Sequence, residues 1–138
     1  MTTSRATGRT RLLEVLGFAN LVGRTPSAGG AAGGGTVVDT ALGNAYYGDD
    51  FFNGWWAILP LGIAGATSYE AKQASDFAGG AGAGTLTVAT FSGTVTTGAT
   101  YELSPYDPAL LHTALNAAAR RRFPDLAIPM RDESLMVD

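Results

Sequence analysis

Apolar and polar positions alternate in short runs along most of this chain, and turn residues separate the runs. Residues 36–42, 55–61, 67–75, 85–91 and 99–103 each carry strand-length patterns bounded by Gly, Asn, Asp or Ser. The run WWAILPL at 55–61 is the most apolar of them, so it is expected to be the most buried strand, with Pro60 at an edge or bulge. Asn53-Gly54 favours a type I′ turn. Phe51-Phe52 either face Trp55-Trp56 across that turn or form a lead-in to a strand beginning at Trp55.

Helical spacing occurs at two places. Asp107-Pro108 supplies an N-cap followed by proline at the first helical position, opening a helix over 108–123. Leu111, Leu115 and Ala118 form its apolar stripe, widened by Leu110, Ala114 and Phe123, and His112, Asn116 and Arg120 lie beside it. Arg120, Arg121 and Arg122 complement the C-terminal dipole, and Pro124 ends the helix. Earlier, Leu12, Val15, Leu16, Ala19 and Val22 predict a helix over 11–22, broadened by Leu13, Phe18 and Leu21. Gly17 weakens it by about 1 kcal/mol relative to alanine, so it needs a partner surface.

These elements predict a mainly β fold with α: an antiparallel β-sandwich-like domain closed by one amphipathic helix, plus an N-terminal helical arm. The expected organisation is an arm over 1–35, a β-domain over 36–125 and a C-terminal extension over 126–138. Within the arm, 1–8 are expected to fray and PSAGGAAGGG at 26–35 to act as a flexible linker.

Composition narrows the function classes. Apolar residues make up 46% of the chain and charged residues 15%, too apolar for a disordered protein and low in charge for a free monomer. Nineteen glycines are about twice the ordinary share of roughly 7%. A net charge of −3 argues against non-specific nucleic-acid binding. The sign changes along the chain: Arg5, Arg9, Arg11 and Arg24 precede Thr25 against Glu14 alone. Up to Asp107, Lys72 then stands against Asp39, Asp49, Asp50, Glu70, Asp76, Glu102 and Asp107. With no cysteine there is no disulfide, thiolate nucleophile or Cys-based zinc site. Glu14 inside the first apolar run opposes a signal peptide, and Pro60 and Gly62 interrupt a run too short to span a membrane.

No set of residues carries catalysis. His112 is the only histidine, sits on a helix and has no Gly-x-Ser-x-Gly elbow to serve. Asp49-Asp50 with Asp39 or Asp76 lack calcium-loop spacing and read better as solvated turns, and Glu70 with Glu102 reads as exposed strand acids rather than a glycosidase pair. The glycine loop at 79–84 opens a strand, not the helix of a dinucleotide fold. No cofactor or metal is expected.

The succession DDFFNGWW, GTLTVAT, GATYEL and PALL…ALNAA is similar to the β-sandwich-plus-helix segments of tailed-bacteriophage virion structural proteins of the neck, tail or baseplate, over about 49–125. The resemblance implies a non-enzymatic assembly protein that forms a ring or sleeve in the virion after assembly in the host cytoplasm. Its partners would be copies of itself and other phage structural proteins, with neither sequence-specific nucleic-acid binding nor a membrane role. The expected interface residues are Leu12, Val15, Leu16 and Phe18 in the arm, Arg120, Arg121 and Arg122 on the helix, and Leu135, Met136 and Val137 in the tail. The alternative is a fibre-tip or carbohydrate-binding module using Trp55 or Trp56, Tyr46 and Tyr47.

Overall fold

A computed structural model of the chain describes residues 5–43, 47–61, 69–80, 82 and 84–126, with residues 122–126 described by backbone alone. Helix α1 (Arg5–Leu13) comes first, followed by strands β1 (Thr36–Val38), β2 (Trp56–Leu59), β3 (Glu70–Ala78), β4 (Thr85–Val88) and β5 (Glu102–Ser104), and helix α2 (Pro108–Leu126) comes last. The strands form one antiparallel sheet in the order β1-β4-β3-β2-β5.

Strand register decides which side chains share a face, because partners across a ladder point the same way. Ala57 pairs with Leu103, and Leu59 lies on the same side two residues on, so these residues face the main core. Trp56 and Ile58 project from the other face, opposite Ser104 and Glu102. In β3, Ala74 and Phe77 both belong to the core although an uninterrupted strand would send them to opposite faces. A register shift between Ala74 and Asp76 inserts the extra residue that brings Phe77 back inside.

The sheet curls because a strap bridges its two edges. Arg24 pairs with Tyr101 just before β5, and Ala28 pairs with Val38 at the end of β1. Arg24 and Tyr101 exchange backbone hydrogen bonds of 3.0 and 2.8 Å, and the Ser27 amide donates to the Val38 carbonyl at 2.9 Å. Side chains repeat the connection. Arg24 Nε donates to Asp39 Oδ2 at 2.8 Å and to the Tyr101 hydroxyl oxygen at 3.2 Å, while that hydroxyl donates to Asp39 Oδ2 at 2.5 Å. Asp39 Oδ1 accepts the Ala41 amide at 3.0 Å, so both oxygens are satisfied. Burial, then the neighbouring Asp39 carboxylate, pushes the Tyr101 hydroxyl far above its ordinary pKa, so it stays a donor. One sheet therefore supplies both walls of the interior, where the sequence suggested a sandwich. Val37, Leu42, Phe52, Leu59, Phe77, Leu86, Val95 and Leu103 fill it.

The region expected as an arm is folded onto this body in the single chain. Helix α1 begins inside the segment expected to fray and ends at Leu13, nine residues before the expected end at 22. Gly17 accounts for the difference: at φ 94° it leaves the right-handed helical region, and the chain passes through a wide turn (Glu14–Phe18) and a short 3₁₀ turn (Ala19–Leu21). Residues 26–35 are not a slack linker. The Gly30 amide donates to Val95 O at 2.9 Å, and the Ala31 amide to Thr36 Oγ1 at 2.7 Å. A Cβ on Gly34 would lie 2.4 Å from the Gly93 carbonyl oxygen, at φ 72°. Glycine is present there for close backbone approach, not for reach.

Two turns differ in detail. Phe51-Phe52 are the lead-in, since residues 49–54 form consecutive turns and β2 pairs with β3 and β5 instead. Helix α2 is capped as expected, with Asp107 Oδ1 accepting the Ala109 amide at 2.8 Å, but it continues to Leu126, past Pro124. Its covered stripe is narrower than the sequence suggested. Leu111 is buried and Leu115 half-buried, whereas Leu110, Ala114 and Ala118 face solvent. Leu115 meets α1 at Gly8, where an added Cβ would sit 3.5 Å from its Cδ1.

Replacing Tyr101 by Phe removes one hydroxyl from the strap and leaves Asp39 and Arg24 short of a partner. The expected loss is about 1–3 kcal/mol in urea denaturation. Leu111→Ala should lose about 2–5 kcal/mol, and Leu110→Ala, on the exposed side, within about 0.5 kcal/mol. Equal losses at 110 and 111 would contradict the observed orientation of α2.

Candidate functional site

The outer face of β2 and β5 is covered by the two helices, and a polar cluster sits where they meet. Arg9 and Leu13, one turn apart on α1, are its two buried side chains. Arg9 is 1% exposed and projects toward Glu102, which shares the outer face with Ile58. Arg9 Nε donates to Glu102 Oε2 at 2.7 Å, and Thr10 Oγ1 donates to Oε1 at 3.0 Å. The carboxylate is therefore engaged through both oxygens.

The rest of the guanidinium turns toward α2. Arg9 Nη1 lies 3.2 Å from His112 Nε2. Arginine has no acceptor, so Nε2 must accept and the imidazole proton sits on Nδ1. Burial, then the charges of Arg9 and Arg5, hold the His112 pKa below its ordinary value, with Glu102 pulling weakly the other way. Tyr69 completes the cluster: the Arg9 guanidinium carbon lies 5.2 Å from its ring centroid, and its ring is 5.7 Å from that of His112. Burial raises the Tyr69 pKa, opposed by Arg9, so the hydroxyl is neutral at physiological pH. Arg9 Nη2 is buried and makes no hydrogen bond among the described residues. A cavity of about 320 Å³ adjoins this cluster, lined by Arg5, Ala6, Arg9, Pro60, Tyr69 and His112.

The residues expected at an interface separate into groups. Val15 is 84% exposed and Leu16 45%, held outward by the turn at Gly17, while Leu12 is half-buried. Phe18 turns inward and meets Trp55 edge-on at 5.7 Å and Tyr106 at 6.2 Å. Arg120 and Arg121 are exposed on α2. The side chain of Arg122, and Leu135, Met136 and Val137, lie outside the described residues. The aromatic residues considered for sugar stacking pack against one another instead: Trp55 against Phe52 and Phe18, and Tyr47 against Phe51 and Phe52. Tyr46 lies outside the described residues, and Trp56 is half-buried opposite Gln73 and Ser104.

The acids do not converge either. Glu70 pairs with Leu59 and Glu102 with Ile58, so they occupy opposite faces of the sheet. Glu70 is held by Ser92, through its amide at 2.9 Å and its hydroxyl at 2.6 Å. Asp49, Asp50 and Asp76 line a shallow cleft near the far end of β3, where Asp49 caps the Gly79 amide and Asp50 holds Asn53. Asp39, grouped with them from the sequence, belongs to the strap. Sequence reasoning singled out His112 but not Arg9, Glu102 or Tyr69 as its neighbours. Arg9 and Glu102 are 93 residues apart, and an isolated Arg in a polar segment carries no sign of burial.

Compared with known protein families, with curated proteins and with solved structures, the chain finds no match. Among the described residues, no helix is long and apolar enough to cross a membrane.

His112 makes stability depend on pH with a definite sign. Its folded-state pKa lies below the unfolded value of about 6.5. As pH falls through about 6.5 the unfolded chain takes up a proton that the native chain does not, so stability declines until the folded pKa is reached. Urea midpoints measured from about pH 7.5 to 5.5 should fall toward acid, and His112→Gln should flatten that slope. An unchanged slope in the variant would show that His112 is not held neutral by its surroundings.

Proposed function

We propose that this chain is a non-enzymatic structural protein of a tailed-phage particle, assembling as a ring or sleeve at the head–tail neck or along the tail. The observation that carries the reading is the pair Val15-Leu16, two aliphatic side chains presented to solvent by a turn that Gly17 fixes. In a chain with so few charges, an exposed aliphatic step beside a helix end suits contact with another protein surface. Its occupant in this reading is a second copy of the chain.

Charge placement favours that occupant. Arg5 lines the cavity at the Tyr69 end of β3, whereas Asp49, Asp50 and Asp76 line the cleft at the other end. The seven steps along the chain from Tyr69 to Asp76 place these ends about 20 Å apart. A surface basic at one end and acidic at the other matches itself head to tail, and a head-to-tail contact that closes generates a ring. Residues 5–35 then take the arm's role through Val15-Leu16, while Arg9, Leu13 and Leu21 keep them packed on the body. Other phage structural proteins would dock on the assembled ring.

Light scattering and native mass measurement test the reading. The protein is expected to form multimers, and Val15→Asp combined with Leu16→Asp should shift them to monomer with the circular dichroism spectrum unchanged. A wild-type chain that stays monomeric at every concentration overturns the proposal. So does an oligomer indifferent to both substitutions.

A further inference from the structure

The cavity between α1 and α2 has the features of a ligand site, independently of how the chain assembles. Arg9 is 1% exposed and lines the cavity, yet it has more donors than the cluster uses: Nε serves Glu102, Nη1 serves His112, and Nη2 has no acceptor among the described residues. A buried guanidinium N–H left without a partner is costly, and native interiors rarely leave one. Arg5 stands on the same wall one helical turn earlier, with its side chain exposed and no ion pair among the described residues.

We propose that this cavity binds a small organic monocarboxylate, held between Arg9 and Arg5, with its apolar body against Tyr69 and Pro60.

Charge selects the class. Arg5 and Arg9 bring two positive charges, and the Arg9–Glu102 pair at 2.7 Å offsets one of them. The remaining single charge matches a carboxylate and under-compensates a phosphate dianion. Donor geometry agrees, since the unpartnered Nη2 of Arg9 can donate to one oxygen and the fork of Arg5 to the other. Tyr69, Pro60 and Ala6 complete the lining with apolar surface, which suits an apolar substituent. The cavity, at about 320 Å³, falls at the small end of ligand sites.

The surrounding titratable groups supply a built-in reporter. His112 faces Arg9 and Arg5 from α1, Glu102 from β5 and Tyr69 from the start of β3. An anion seated among these groups offsets the two arginine charges that disfavour the imidazolium. Binding therefore raises the affinity of His112 for its proton, and by linkage the ligand binds more tightly as pH falls.

The test uses benzoate as the probe, with acetate and inorganic phosphate beside it, and follows the ring resonance of the only histidine in the chain. Benzoate should shift this resonance saturably and raise the His112 pKa, and acetate should do so more weakly. Arg5→Gln, at an exposed position, should weaken benzoate about tenfold or more without altering the fold. Arg9→Lys should abolish saturable binding, and because that change touches a buried pair, the Arg5 variant keeps the test decisive if the Arg9 variant fails to fold. A shift linear in concentration overturns the proposal, as does phosphate binding at least as tightly as benzoate or full affinity in Arg5→Gln. Light scattering on the same samples reads assembly separately, so failure of ligand binding and failure of assembly are distinguishable.

Discussion

The hydrogen-bonded junction of Arg24, Asp39 and Tyr101 is the constraint on which the curled sheet depends. Each residue comes from a different segment: the strap, the end of β1 and the approach to β5. A five-stranded sheet with those edges apart would need a second layer to bury Val37, Leu59 and Leu103. Joined by the strap, the sheet covers its own apolar face. A charged pair in so dry a place gains little over an apolar substitute, because desolvation offsets most of the attraction. Its strength here is directional. Asp39 accepts from Arg24, from Tyr101 and from the Ala41 amide at once, and only one arrangement of the three segments satisfies all of them.

The outer face is organised by a second buried pair that differs in an instructive way. Arg9 and Glu102 dock α1 on β5 as Arg24 and Asp39 dock the strap on β1, each with an Nε–carboxylate contact under 3 Å. The strap's junction has an acceptor for each donor in play, whereas the pair under the helices leaves one guanidinium nitrogen without a partner among the described residues. One is finished as structure. The other borders a cavity, beside a histidine whose pKa is lowered by burial and then by the same arginine.

Much of the fold was legible in the residues. Strand periods in TLTV and WAIL, and the Asp-Pro start of α2, each rest on local rules that the structure obeys. The failures are equally physical. The pattern of Leu12, Val15 and Leu16 reads as a continuing helix because periodicity takes no account of the φ that Gly17 adopts. The glycines of 26–35 read as slack because composition does not distinguish a residue free to move from one pressed against a carbonyl. The two-sheet expectation failed because edge closure depends on Arg24 meeting residues that lie 15 and 77 positions away. The polar cluster at Arg9 escaped notice for the same reason, since its members are recognisable only by what they touch.

That separation has a consequence for how the chain comes into being. The strap is synthesised well before its partner, since Tyr101 follows Arg24 by 77 residues, and Glu102 follows Arg9 by 93. At about 5–20 residues per second, a nascent chain that has completed β4 waits about one to three seconds more before Tyr101 and β5 can receive Arg24 of the strap and Arg9 of α1. Closure of the longest loops comes last, and contacts of that span slow folding because chain entropy is lost before they form. During that interval the edge of β2 that β5 will occupy is unpaired, and Ala57 lacks its partner Leu103. The order of segments along this chain thus leaves β2 with an open edge on the ribosome, and it is the arrival of β5 that closes it.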